Sequence, residues 1–180
     1  MLPDPLHPAM VHFPIVLMIL LPVVAGVALW AIRRGARPTT AWLVPLAFAA
    51  ALSLSAWLSV ETGEQQEERV EDVVSEAAID THADAAERFL LLTVAMAGIT
   101  AVGLFNNRFG AAARGASIVA AVGLVLAGYQ VGHSGGELVY RQGAASAYAG
   151  PNGGSGEAPL DQTAAGEKGR AEDGDDDRKE

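Results

Sequence analysis

Four apolar runs divide the first 132 residues: 13–32, 41–60, 89–105 and 115–132. The first contains no charged residue. Its length, about 20 residues at 1.5 Å each, matches the roughly 30 Å hydrocarbon core of a bilayer. The third, at about 17 residues, is short for a crossing and needs the polar stretch 84–88 to complete it in the interface. Short polar turns join the first pair and the last pair, so consecutive runs reverse direction. The pattern predicts an all-α fold: a four-helix transmembrane bundle, up-down-up-down, over residues 1–149. Pro14 falls where a first helical turn needs no N–H. Pro22 lies mid-span and is expected to bend its helix or to open a carbonyl for a neighbour. Ser53, Ser55 and Ser59 predict that one face of the second helix meets protein rather than lipid. Gly128 and Gly132, four apart, allow a second helix or a flat ligand to approach closely. Gly135-Gly136 reads as the stop of the fourth helix.

Between the second and third runs lies the longest connection, 61–88, with ten acids against two arginines. Within it Val70, Val73, Val74, Ala77 and Ala78 recur at helical spacing. The spacing predicts an amphipathic helix over 65–78, resting on the bundle or on the interface. A solvated acidic helix is the alternative. Residues 150–180 change to Gly, Ser, Pro, Asp and Glu and lack the apolar surface to offset ordering entropy, which predicts a disordered acidic tail.

Charge then adds sidedness. The two short turns carry Arg33, Arg34, Arg37, Arg108 and Arg114 without an acid, which places them in the cytoplasm. Both termini and the acidic connection then lie outside a plasma membrane. Trp30 and Trp42 are expected at the inner interface, Trp57 and Tyr140 at the outer. Asp4 and the absence of a basic leader read as a retained anchor rather than a signal peptide. The net charge of −9 excludes nucleic acid as a partner. Without cysteine there is no disulfide, thiolate ligand or thiol nucleophile. A metal or haem has to rely on His, carboxylate, Tyr or Met.

The chain has four histidines. With four alternating spans, His7, His12, His82 and His133 all map to the outer side, together with Glu61 and Glu64. Imidazole is the commonest side-chain ligand for transition metals, and bundles build such sites between their helices. Ionisable groups at membrane depth are costly and call for a functional hypothesis. His7 and His12 are about 140° apart on an ideal helix, so a regular helix does not let them chelate one ion. The opposing reading is that these histidines snorkel to water or cap helices. His133 follows Tyr129 by four residues, on one helical face, which allows a hydrogen-bonded pair.

Two end motifs carry a resemblance. His7-Pro8-x-x-Val11-His12-Phe13-Pro14-Ile15 at the first span and Gly132-His133-x-Gly135-Gly136-Glu137-Leu138-Val139-Tyr140 after the fourth resemble the DUF2231 family of small four-span bacterial membrane proteins. The likeness covers about residues 6–143. It implies partners in redox or c-type cytochrome systems and a b-haem held by histidine, carried over onto His7, His12, His133 and His82. Many relatives end in Val-Tyr-x-His-Gly. Here Gln142 replaces that histidine, which removes one ligand and weakens a two-haem reading.

Two functions follow. In the first, the bundle holds haem b or a divalent metal near its outer face and acts in electron transfer. His12 and His82, on diagonal helices, are then the first candidates for axial ligands. His133 is the alternate ligand or propionate contact, Gly128 and Gly132 make room for the macrocycle, and His7 and Glu64 are candidates for a metal. In the second, the chain is a structural or accessory subunit that meets another membrane protein, or another copy of itself, through small-residue helix faces. A hydrolase is the weakest reading, because no nucleophile stands at a useful spacing from a base.

Overall fold

The computed structural model describes residues 6–148. The expected tail at 150–180 lies outside the described residues. The elements are α1 (His7–Met10), α2 (His12–Arg33), α3 (Pro38–Val70), α4 (Glu76–Val102), α5 (Arg108–Tyr140) and a closing 3-10 helix (Ala144–Tyr148). Each of the four long helices is long and apolar enough to cross a membrane. The architecture is the all-α four-span bundle that the apolar runs predict. Each long helix packs on its two sequence neighbours in a closed ring, α2 against α5 included, so α2 and α4 are diagonal, as are α3 and α5.

Proline sets the entry. Pro14 has no N–H to give to the Met10 carbonyl, so the ladder breaks there and α1 separates from α2 at Val11. The short α1 packs on α3. Pro22 and Pro45 lie inside helices that run on past them. The α2–α3 turn closes with Ala36 N–H on the Ala31 carbonyl and Gly35 N–H on the Ile32 carbonyl, both at 3.0 Å. Gly35 takes the left-handed φ of 102° that this helix stop needs. At the α4–α5 turn Asn107 Oδ1 accepts from Gly110 N–H at 2.9 Å. Arg114, buried at 5% exposure, donates through Nε to the Gly103 carbonyl and through Nη2 to the Phe105 carbonyl. These carbonyls lie just past the end of α4, where the helix dipole favours a cation.

Apart from Trp42 and Phe89, the core consists of small and medium side chains. Leu21, Ala25, Ala49, Leu52 and Ala121 are completely buried, while Leu91, Val119 and Leu126 on the outside are about 70% exposed. An exterior this apolar along the spans suits lipid as the surrounding solvent. Hydroxyls do much of the inner packing: Ser55, Ser59, Thr93, Thr100 and Ser117 are all buried. Ser59, Thr93 and Thr100 donate back to carbonyls of their own helices. The protein-facing serines expected in the second span are therefore there.

Four local expectations need correction. The amphipathic helix over 65–78 is not a separate element. Instead, α3 runs to Val70 and α4 starts at Glu76, with a turn between. The apolar periodicity has another use: Val70, Val74, Ala78 and Ile79 close over Leu138 and Ala144 as a small second core. Gly135-Gly136 does not end the fourth helix, which continues to Tyr140, and Gly143 with φ 76° marks the turn beyond. Trp42 is not at an interface but fully buried, its Nε1 donating to the Thr100 carbonyl at 3.0 Å. Gly128 is already occupied: a methyl there would run into Met18 Sδ and Phe89. It serves helix packing and leaves no slot for a macrocycle at that level.

Arg114 carries the α4–α5 turn, which makes its loss measurable. Arg114→Ala should lower stability in detergent by roughly 2–3 kcal/mol, the range for hydrogen bonds from a charged donor to buried acceptors. Denaturant unfolding followed by helical circular dichroism checks this, and a change below about 0.5 kcal/mol contradicts it.

Candidate functional site

The functional question concerns one end of the bundle, where α2 and α4 begin and α3 and α5 finish. Because α3 and α5 are each 33 residues long, about 50 Å, they outrun a hydrocarbon core of roughly 30 Å. Their last turns form a polar extension at this end. All four histidines belong to this end, but they do not form one cluster. Two lie within the bundle and two face outward.

His7, on α1, is turned onto α3. Its Nδ1 lies 2.9 Å from the Ser59 carbonyl and 3.3 Å from Thr62 Oγ1. Its ring rests on Gly63, where a methyl would stand 3.3 Å from His7 Cε1. His82, on α4, meets α5 in the same manner. Its Nδ1 lies 3.0 Å from Ser134 Oγ, and its ring covers Gly135, where a methyl would stand 3.0 Å from Cε1. Both rings are half-buried, and they lie within electrostatic range of each other.

The partners favour the Nδ1–H tautomer, through a carbonyl at His7 and a hydroxyl at His82. A carbonyl oxygen only accepts, so His7 Nδ1 carries the proton that goes to Ser59. Thr62 Oγ1 donates to the Leu58 carbonyl at 2.8 Å, so toward His7 it also accepts. Ser134 Oγ donates to the Val131 carbonyl at 3.0 Å, which leaves it as the acceptor for His82 Nδ1–H. Each neutral imidazole therefore keeps its lone pair on Nε2. An Nδ1–H tied to an oxygen is the arrangement that orients a metal-ligating histidine.

The other expected site residues take other places. His12 is exposed, and its Nδ1 bonds the Pro8 carbonyl at 2.7 Å within the same helical entry. It does not join His82 inside the bundle. His133 is exposed on the outside of α5, its ring stacked on Tyr129 at 6.0 Å rather than hydrogen-bonded to it. Its Nε2 lies 3.8 Å from Glu137 Oε1, which Arg141 also contacts. Glu64 is exposed. Gly132 faces open space, while Gly128 is filled by Met18 and Phe89. Among the described residues no three His, Asp or Glu side chains are placed to hold one metal ion. Among the described residues the imidazoles inside the bundle number two, His7 and His82.

Ser59, Thr62, Gly63, Ser134 and Gly135 complete the site, and a reading of spans alone passes over them. A signal does exist in the sequence: His7 to Ser59 and His82 to Ser134 are the same 52 residues apart.

The two glycine contacts can be tested separately. Gly135→Val should push the His82 ring out and raise its carbethoxylation rate several-fold. Gly136→Val, at a position with nothing within 4 Å, should leave that rate unchanged. Equal rates in both variants contradict the packing described.

No curated protein and no solved structure matches this chain. The family described as "Predicted membrane protein (DUF2231)" matches residues 3–147, nearly all of the described part. With that match, four spans and both end motifs in place, the chain belongs to the DUF2231 family of membrane proteins.

Proposed function

We propose that this chain is an electron-transfer module that holds a redox-active metal centre in the membrane through His7 and His82. One observation carries the reading: both rings have Nδ1–H engaged by an oxygen of a neighbouring helix and present Nε2 as the free donor. His7 and His82 would hold the iron of a haem b or a bare copper ion, either of which would supply one-electron redox chemistry. A macrocycle would have to lie at the level of the two histidines, since Gly128 below is packed by Met18 and Phe89. His12 is replaced by His7 as the partner of His82, because α1 packs on α3. Five arginines at the opposite end, in short turns, against Arg69, Arg88 and Arg141 at this one support a cytoplasmic arginine end, with the histidine pair facing outward across a plasma membrane.

A second reading rests on the same bonds. Each imidazole already staples two helices, so the pair fits a purely structural role in an accessory subunit of a membrane complex, or in a homo-oligomer.

A reduced-minus-oxidised spectrum and a metal assay of detergent-purified chain separate the two. The metal-centre reading expects a haem band or stoichiometric copper, lost in His7→Ala and in His82→Ala but kept in His12→Ala and His133→Ala. Colourless, metal-free protein from cells replete in haem and copper contradicts it and leaves the structural role. In that case co-purification with a partner should survive replacement of all four histidines.

A further inference from the structure

The first helices of the two halves, α2 and α4, bury the same positions. In α2 the buried residues are Pro14, Met18, Leu21, Ala25 and Ala28. In α4 and the residue that caps it they are, Ile79 apart, Phe89, Thr93, Met96, Thr100 and Gly103, each 75 positions on. In the second helices the match is partial: of the eight buried residues of α3, Trp42 and Ala49 fall on the buried Ser117 and Leu124, while Ser55 falls on the exposed Gln130. Contacts correspond as well as positions. Ala25 packs on Trp42 in the first half, and Thr100 Oγ1 lies 3.4 Å from Ser117 Oγ in the second. The ring of helix neighbours is unchanged when α2 is exchanged with α4 and α3 with α5. A half-turn about the bundle axis performs that exchange, as in membrane proteins built from parallel repeats.

His7 and His82 obey the same shift, and so do their partners Ser59 and Ser134. The local chemistry differs in three respects: Ser59 accepts through its carbonyl and Ser134 through its hydroxyl, His7 alone also meets Thr62, and the glycine seats, Gly63 and Gly135, are 72 rather than 75 positions apart. Both leave Nε2 as the donor.

We infer that the chain is two copies of one two-helix hairpin, and that His7 and His82 are one position occurring twice, so that they form a single two-donor site on the pseudo-twofold axis. The ligand class is a centre that takes two equivalent imidazole nitrogens from opposite sides, a copper ion or the iron of a haem. The identity of that centre rests on the function proposed above. The shared site rests on the repeat together with the place of both half-buried rings inside the same end of the bundle, and does not depend on that function. Consequences of the symmetry are that binding occurs once per chain and that either histidine alone retains none, rather than half, of it.

The chain contains no cysteine, so thiols can be placed at this position without background. The test is the full-length double variant His7→Cys/His82→Cys in detergent, titrated with Hg(II), which favours two-coordinate thiolate. A single shared site takes one Hg(II) per chain by intact mass and leaves neither thiol free to react with maleimide. The single variants His7→Cys and His82→Cys each leave mercury open to displacement by added thiol. Two Hg(II) per chain, or one with a maleimide-reactive thiol remaining, overturns the shared site. Should the double variant misfold by circular dichroism, the unmodified chain decides through Cu(I) titration against a chelator. One ion per chain, abolished by either single alanine variant, supports the site, whereas two ions, half loss in each variant or no binding overturns it. One Hg(II) in the double variant with no metal or haem in the native protein retains the shared site and rejects the proposed centre.

Discussion

Lipid offers no hydrogen bonds, so every polar group that faces the inside of this bundle has to be satisfied by the bundle itself. Among the described residues, no buried side-chain nitrogen or oxygen lacks a partner. That requirement accounts for much of the interior. Buried serines and threonines return their protons to carbonyls of their own helices, Trp42 reaches the Thr100 carbonyl, and Arg114 takes up the loose carbonyls after α4. It also decides the state of the two inner histidines. Hydroxyl protons already directed to carbonyls leave oxygens that can only accept, and an acceptor at Nδ1 forces the proton onto that nitrogen. The donor lone pairs on Nε2 follow from helix satisfaction one turn away.

Close approach is the second requirement, and it links packing to the site. Glycine in a helix interior costs about 1 kcal/mol relative to alanine. Here the cost is offset where a bulky group occupies the vacated space: the His7 ring at Gly63, the His82 ring at Gly135, and Met18 with Phe89 at Gly128. The same rule separates Gly135 from Gly136. Adjacent glycines read as a helix stop in isolation, yet α5 passes through both, because one of them is the seat of an imidazole.

The spans, their alternation and the family were legible in the sequence, because length and hydropathy alone decide a membrane crossing. What was not legible depended on which way a side chain faces. Trp42 stands in the opening turns of its helix, where an interfacial tryptophan would also stand. Only its register with Pro45, Ala49, Leu52 and Ala56, the buried stripe of α3, marks it as core. His12 lies nearer the bundle than His7 by count along the chain. The helical face reverses that order in space: His7 lies on the side that packs on α3, and His12, about 140° around, faces outward. The valines of 70–78 had the right period but served two helix ends instead of one helix. The repeat was hidden because most of its paired positions hold different residues, such as Trp42 and Ser117, and only burial shows them to be equivalent.

The central claim is that His7 and His82 present Nε2 as a pair of ligand lone pairs. Nitrogen-15 NMR of histidine-labelled full-length protein in detergent tests it directly. The account predicts that both residues are neutral Nδ1–H tautomers, with Nε2 resonances in the unprotonated range that shift together when Cu(I) is added. Nε2–H tautomers at either position, or a copper response confined to His12 or His133, would contradict it.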